Sequence, residues 1–271
     1  MIDIGLNLTN GQFHDDQFDV LKRAHEAGVS ACILTGTDVS NSQESLALCE
    51  EFKTKTALKL YGTAGVHPHS ADDFDDQSIG KLQELLKHES VVAVGETGLD
   101  FNRNYSSKSN QIRAFQEQLS LAIETRKPLF LHERDAFKTQ SAILSENLAH
   151  LPPVVIHCFT GTKQQLEAYL DMGFYIGITG WICDPKRGKE LQKIVGMIPL
   201  NRLMIETDAP FLLPKNIEPK PNGRRNEPRY LYWVAKTISE CTGVSIDEIC
   251  SITAINARRF FLDTNACQTN N

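Results

Sequence analysis

Apolar residues along the chain follow two alternating rhythms. Short β-branched and aliphatic runs predict strands at Ile2–Leu8, Ala31–Thr35, Leu60–Val66, Val91–Glu96, Pro128–His132, Val154–His157, Phe174–Ile178 and Leu203–Thr207. Between them apolar positions recur at i, i+3 and i+4. Val20, Leu21, Ala24 and Ala27 form one helical stripe, Ile112, Phe115, Leu119 and Ile123 a second, and Leu231, Val234, Ala235 and Ile238 a third. Asp135 and Thr162 stand where helix N-caps belong. Successive strand ends lie roughly 29 residues apart, the length of a βα unit. Eight such units predict an α/β chain folded as one TIM (β/α)8 barrel over residues 1–262, with 263–271 a short polar tail. A doubly wound sheet is the alternative. No Gly-x-Gly-x-x-Gly follows the first strand, which weakens its nucleotide-binding version. The Pro- and Lys/Arg-rich stretch Ala209–Asn226 is too long for a plain connector and predicts a functional loop.

Composition narrows the function classes. The 271 residues are 41% hydrophobic and 23% charged, which excludes a disordered chain. Lys+Arg 28 against Asp+Glu 34 gives −6, so the whole surface is no basic footprint for duplex nucleic acid or anionic membrane. Any nucleic-acid contact must be local. The seven cysteines are odd in number and form no Cys-x-x-Cys pair, so a reducing, cytoplasmic setting is expected rather than a disulfide framework. The N-terminus lacks a basic segment followed by an apolar run, so no signal peptide is expected, and no apolar stretch approaches the roughly 18 residues of a membrane span. Nothing points to an oligomer, and a monomer is expected.

The chemistry-bearing residues gather at predicted strand ends, which in a barrel form one face. Glu96, His132 and His157 each end a strand, Asp208 follows the last, and His67 follows the third. Alternation puts Val92, Val94 and Glu96 on one face, as it does Phe130 with His132 and Val155 with His157. Each polar residue thus tops an apolar stack, and two imidazoles with two carboxylates around one axis describe a divalent-metal site. Singly, a strand-end His is more often a hydrogen-bonded structural residue, and a lone carboxylate a cap or ion-pair member. Glu206 shares the parity of Asp208 and reads as structural or as a partner to a ligand. Cys158 follows His157 but faces the other way, which argues against a Cys–His nucleophile, and no Gly-x-Ser-x-Gly elbow is present.

Six runs then become recognisable in order: Gly65-Val66-His67-Pro68-His69, Gly95-Glu96-Thr97-Gly98-Leu99-Asp100, His132-Glu133-Arg134-Asp135-Ala136, His157-Cys158-Phe159-Thr160-Gly161, Ile205-Glu206-Thr207-Asp208-Ala209-Pro210 and Arg225-Asn226-Glu227-Pro228. Together they resemble the TatD family of metal-dependent deoxyribonucleases, from the first strand to Leu262. The resemblance implies a metallo-dependent hydrolase barrel that acts as a cytoplasmic 3′-to-5′ exonuclease on single-stranded DNA and RNA. It also implies magnesium as cofactor, with manganese or zinc as alternatives, and a part in repairing oxidised DNA. It makes Glu96, His132 and His157 metal ligands and Asp208 the catalytic aspartate that also contacts metal. One departure stands out. Many members carry Asp-x-His-x-His on the first strand, where this chain has Asp3-Ile4-Gly5-Leu6-Asn7. That favours one firmly held ion and a second arriving with substrate phosphate.

Phosphodiester hydrolysis then assigns water activation to the metal at Glu96, proton acceptance to Asp208, and phosphate contact or leaving-group protonation to His67. Arg134, Lys186, Arg187, Lys215, Lys220, Arg224, Arg225 and Arg229 populate the predicted top loops. Of these, Arg134, Arg187, Arg224 and Arg225 are the expected phosphate contacts. Phe159, Trp181 and Phe211 are the aromatics placed to stack on unpaired bases. Asn226-Glu227-Pro228 reads as a helix start with Asn as the cap. The competing readings are another metal-dependent amidohydrolase or esterase on the same barrel, or a non-catalytic binding protein. Loop arginine density favours a phosphate-rich substrate.

Overall fold

A computed structural model describes residues 1–263 of the chain, so the polar tail expected beyond Leu262 falls, apart from Asp263, outside the described residues. Eight strands form one parallel sheet in chain order: β1 (Ile2–Leu6), β2 (Ala31–Leu34), β3 (Lys59–Ala64), β4 (Val91–Asp100), β5 (Leu129–Arg134), β6 (Val154–Ile156), β7 (Tyr175–Ile178) and β8 (Leu203–Ile205). Each pairs with the next. The turn of the sheet is completed just past β8: Asp208 N donates to Gly5 O at 2.8 Å and Asn7 N to Ala209 O at 2.9 Å. Asp208 is therefore positioned by the closure itself.

The helices are α1 (Gln17–Glu26), α2 (Val39–Phe52), α3 (Asp76–Leu86), α4 (Lys108–Thr125), α5 (Phe137–Asn147), α6 (Lys163–Asp171), α7 (Lys189–Ile194), α8 (Leu231–Thr242) and α9 (Ile246–Phe261). The three predicted stripes lie on α1, α4 and α8, where Val20, Leu21, Ala24, Phe115, Leu119, Leu231, Val234 and Ile238 are buried. Thr162 caps α6 in a capping box with Gln165. Asp135 does not cap α5. Its backbone sits at φ +52° and its carboxylate takes Asn102 Nδ2 at 2.6 Å, while Glu133 Oε1 accepts the Ala136 N–H.

Apolar side chains divide into two layers. Ile2, Ile4, Ile33, Val92, Phe130, Val155, Tyr175 and Met204 fill the barrel, closed below by Ala257, Phe260 and Phe261 of α9. Leu34, Leu131, Ile156, Ile178 and Ile205 face outward and pack with the helix-borne residues. Alternation carries this pattern except on β1 and β4. Val94 lies in the outer layer, not with Val92 as expected. Register shifts before Thr63–Ala93 and between Val94 and Thr97 bring Glu96 back inward. Strand β4 also runs four residues beyond its expected end. Gly98, at φ +133°, pairs there with His132, whose carbonyl occupies the space any Cβ would need. That extension delivers Asp100 to the same rim as Glu96. No helix among the described residues is long and apolar enough to cross a membrane. The six cysteines among them are all unpaired.

Candidate metal centre

Glu96, on β4, is the hub. Its Oε1 lies 2.7 Å from His157 Nε2, 3.0 Å from His132 Nδ1 and 3.4 Å from His67 Nε2. The strand ends thus bring together Glu96, His132, His157 and His67, and the ligand atoms of His67, Glu96 and His132 all lie within 4.8 Å of one another. Asp208 joins them electrostatically rather than by hydrogen bond. Its Oδ1 accepts from Asn7 Nδ2 at 2.9 Å, and its carboxyl is felt by the charges of His157, Glu96 and Glu206.

Burial and charge set the protonation states. Burial alone would raise the Glu96 carboxyl, but the charge of His157, that of His67 once it protonates at low pH, and the hydrogen bonds from His132 and His157 hold it well below the usual carboxylate range. Burial would lower His157, yet the Glu96 and Glu206 carboxylates keep its imidazole well above its ordinary value. Asp208 is pushed up to about 7 by burial, with Glu96 and Glu206 adding to the rise and His157 opposing it. His67 is pushed down to about 4 by burial and is neutral at pH 7. A neutral imidazole at that value is a poor proton donor, so His67 does not suit leaving-group protonation.

Hydrogen bonds around the rings sort the histidines by tautomer. Glu206, fully buried, accepts from His157 Nδ1 at 3.2 Å and from Cys158 N, so Nδ1 keeps its proton and Nε2, which donates to Glu96 at 2.7 Å, is the nitrogen a cation would take on displacing that proton. His67 Nδ1 instead accepts the His69 N–H at 3.1 Å, which puts its proton on Nε2. His67 is thereby a donor toward the site, whereas His157 is equipped as a ligand. Mixed imidazole and carboxylate donors fit a divalent cation. The Cys158 thiol is pushed up to about 12 by burial, which removes it as a nucleophile.

Two residues of the site escaped the sequence reading. Asp100 Oδ2 lies 2.8 Å from His69 Nε2 and 3.3 Å from His132 Nε2. Asp100 closes the run that begins at Gly95, and Glu96 and Asp100 are an even number of residues apart, but the strand was expected to stop at Glu96. His69 was visible only as the second histidine of His67-Pro68-His69.

The expected substrate contacts divide. Arg134 and Arg187 both lie on the Trp181 indole, their guanidinium carbons 5.3 and 4.4 Å from ring centroids, beside a cavity of about 490 Å3. Arg187 also donates Nε to Asp184 at 2.9 Å. Arg224 is exposed. Phe159 is 2% exposed and packed in the outer core, because the turn at Cys158 (φ +46°) directs it between sheet and helices; it offers no face to a base. Arg225 is committed elsewhere: it donates to Gln12 O, to both Asp16 oxygens and to Glu227 Oε1. That leaves it a strut of the long loop instead of a phosphate contact. Asn226 is no cap either. Its side chain donates to Thr207 O and Phe211 O, tying the loop to the end of β8, and Glu227 takes the cap position before Pro228.

Comparison with known proteins places this geometry. The family described as TatD related DNase matches residues 2–262. The 3′-5′ ssDNA/RNA exonuclease TatD of Erwinia amylovora is 46% identical over 261 residues, covering 96% of this chain and 99% of its own. A TatD family hydrolase from Entamoeba histolytica superimposes with a TM-score of 0.89 at 27% identity, over 97% of this chain and 98% of that one. A TatD homologue from Escherichia coli does so with 0.85 at 31% identity, over 96% and 97%. Matched from its first strand to its last helix, the chain belongs to the family of TatD-related DNases.

Proposed function

We propose that the protein is a divalent-metal-dependent 3′-to-5′ exonuclease on single-stranded DNA and RNA. The observation that carries this reading is the convergence of Glu96, His132 and His157 at one strand-end rim, with Asp208 set against them by barrel closure. Glu96, His132 and the Nε2 of His157 would hold the cation, for which magnesium is proposed and to which manganese and zinc are the alternatives. When bound, it lowers the pKa of water and offsets charge on a phosphoryl oxygen. The chain's own groups do the rest. Asp208, with a carboxyl near 7, accepts the proton of the attacking water, and the Asn7 amide fixes its Oδ1. His67 donates from Nε2 toward a phosphate oxygen. Arg134, Arg187 and Arg224 contact the phosphodiester backbone, and Trp181, already carrying two guanidiniums, anchors that basic edge.

Digestion of 3′- and 5′-labelled single-stranded DNA and RNA tests the reading. Products should shorten from the 3′ end with magnesium and stop with a chelator. A Glu96→Ala protein purified in parallel should be inactive. Equal digestion by wild type and E96A would refute the assignment, and elemental analysis of protein purified without chelator identifies the metal.

A further inference from the structure

Tyr105 is 65% exposed, the largest exposure among the large apolar side chains of the described residues. A single exposed aromatic is ordinary on a protein surface, so what singles Tyr105 out is the fixed loop that carries it and its place against the site histidines. The segment that carries it is firmly pinned. Asp100 Oδ1 accepts the N–H groups of Asn102 and Arg103, and Ser106 Oγ donates to His69 O at 2.9 Å. Ser107 N donates to Asp72 Oδ1 at 3.0 Å, and Gln111 Nε2 bonds both Asp100 O and Ser106 O. Tyr105 is thus presented outward by a fixed loop, with its phenol in no hydrogen bond among the described residues.

Its ring meets His69 edge-on at 4.7 Å, His69 meets His67 at 4.2 Å, and His67 meets His132 at 4.5 Å. An open aromatic face therefore lies three ring contacts from the carboxylate hub. The other aromatics at this end are less suited. Phe159 is buried, Trp181 carries two guanidiniums, and Phe211, although exposed beside Asp208, is outside the ring series that joins Tyr105 to His132.

We propose that Tyr105 is the stacking platform for the base of one nucleotide flanking the scissile phosphate. The inference rests on the single-strand nuclease reading above and assigns it a base-binding subsite. A ring face stacks on any base, so the platform gives hold on unpaired ends without sequence preference. A paired base, stacked within its duplex, is unavailable to it.

The test compares wild type, Tyr105→Ala, Tyr105→Phe and Tyr105→Trp with magnesium on single-stranded oligonucleotides. Some of these carry an abasic residue at the terminal or penultimate 3′ position. Tyr105→Ala should raise KM about tenfold with kcat nearly unchanged, the size of one lost base stack, while Phe and Trp keep the wild-type value. The penalty should vanish on one of the two abasic substrates. In single-turnover stopped flow, 2-aminopurine at that same position should be quenched by wild type and not by Y105A. Exposure of the ring makes an unchanged melting temperature the expected control. An active wild type with Y105A indistinguishable from it, or equally impaired on intact and abasic substrates, overturns the platform alone. A wild type without nuclease activity overturns the parent reading and the platform with it.

Discussion

Removing the Glu227 carboxylate should cost more stability than any other single charge change on the long loop after β8. Glu227, its side chain 6% exposed, accepts hydrogen bonds from Arg23 Nε at 2.9 Å and Arg225 Nη2 at 2.9 Å, while Arg229 Nε lies 3.0 Å away as an ion-pair contact without hydrogen-bond geometry. Arg23 and Arg225 also share Asp16 on the approach to α1. Hydrogen bonds to a charged group contribute about 1.5–3 kcal/mol each, so naive addition over the bonds from Arg23 and Arg225 overshoots. The arginines are 28–37% exposed and can rehydrate, and two of them retain Asp16. The expected cost of Glu227→Gln is therefore about 2–3 kcal/mol, below the 3–5 of a fully buried broken pair. For a chain of this size that lowers Tm by roughly 4–5 °C. Urea and thermal unfolding measure it, and a double-mutant cycle with Arg225→Gln should return a coupling of about 1 kcal/mol or more. A loss below about 0.5 kcal/mol, the scatter of ordinary surface changes, would show that the loop is held by its backbone tethers through Asn226 instead.

Two further outcomes follow from buried carboxylates. Asp3, fully buried, accepts from Thr207 N, Thr207 Oγ1 and Gly5 N, and burial pushes its carboxyl from 3.8 to about 7. An acid raised on folding contributes its full stability below 3.8 and loses it as the pH climbs through 7, so Asp3→Asn should flatten the decline in Tm between those values; an unchanged slope of Tm against pH refutes it. Glu206→Gln offers one acceptor where His157 Nδ1–H and Cys158 N–H need two, so one ring or amide proton is left facing an NH2 group. Divalent-metal affinity by calorimetry should fall about 10–100-fold with the fold retained, and wild-type affinity would remove Glu206 from the support of His157.

Much of the architecture was legible because burial on both faces of a parallel sheet writes short apolar runs, and helices between them write their own period. Element type and order followed from that alone. Strand ends were less legible: β6 and β8 stop before His157 and Asp208, whose placement depends on backbone bonds to neighbouring strands. Alternation failed at Val94 because a register shift leaves no apolar or polar signature. Side-chain commitments were the least legible. Arg225 and Arg224 are adjacent and alike in sequence, yet one is locked to Asp16, 209 positions away, and to Glu227, while the other is exposed. Phe159 likewise carries no sign that the left-handed turn before it points it into the core.

The altered first strand acquires a physical account from the same long-range placement. Gly5 is the first of the two positions where the Asp-x-His-x-His pattern of the resemblance would set a histidine, and a Cβ there would collide with Glu206 Oε2. A Cβ on Gly177, from the opposite side, would come within 2.7 Å of Glu206 Oε1. Two glycines on β1 and β7 thus leave the room that one carboxylate fills, and that carboxylate spends its oxygens on His157 and the Cys158 amide. At the second altered position, Asn7 uses its amide N–H on Asp208 rather than an imidazole on a cation. The His157 ring that faces Glu96 is held protonated on its far nitrogen, which is the tautomer a metal ligand requires. Glycine at position 5 thus goes with a buried carboxylate that orients His157 from across the barrel, which supports the proposed cation site at Glu96.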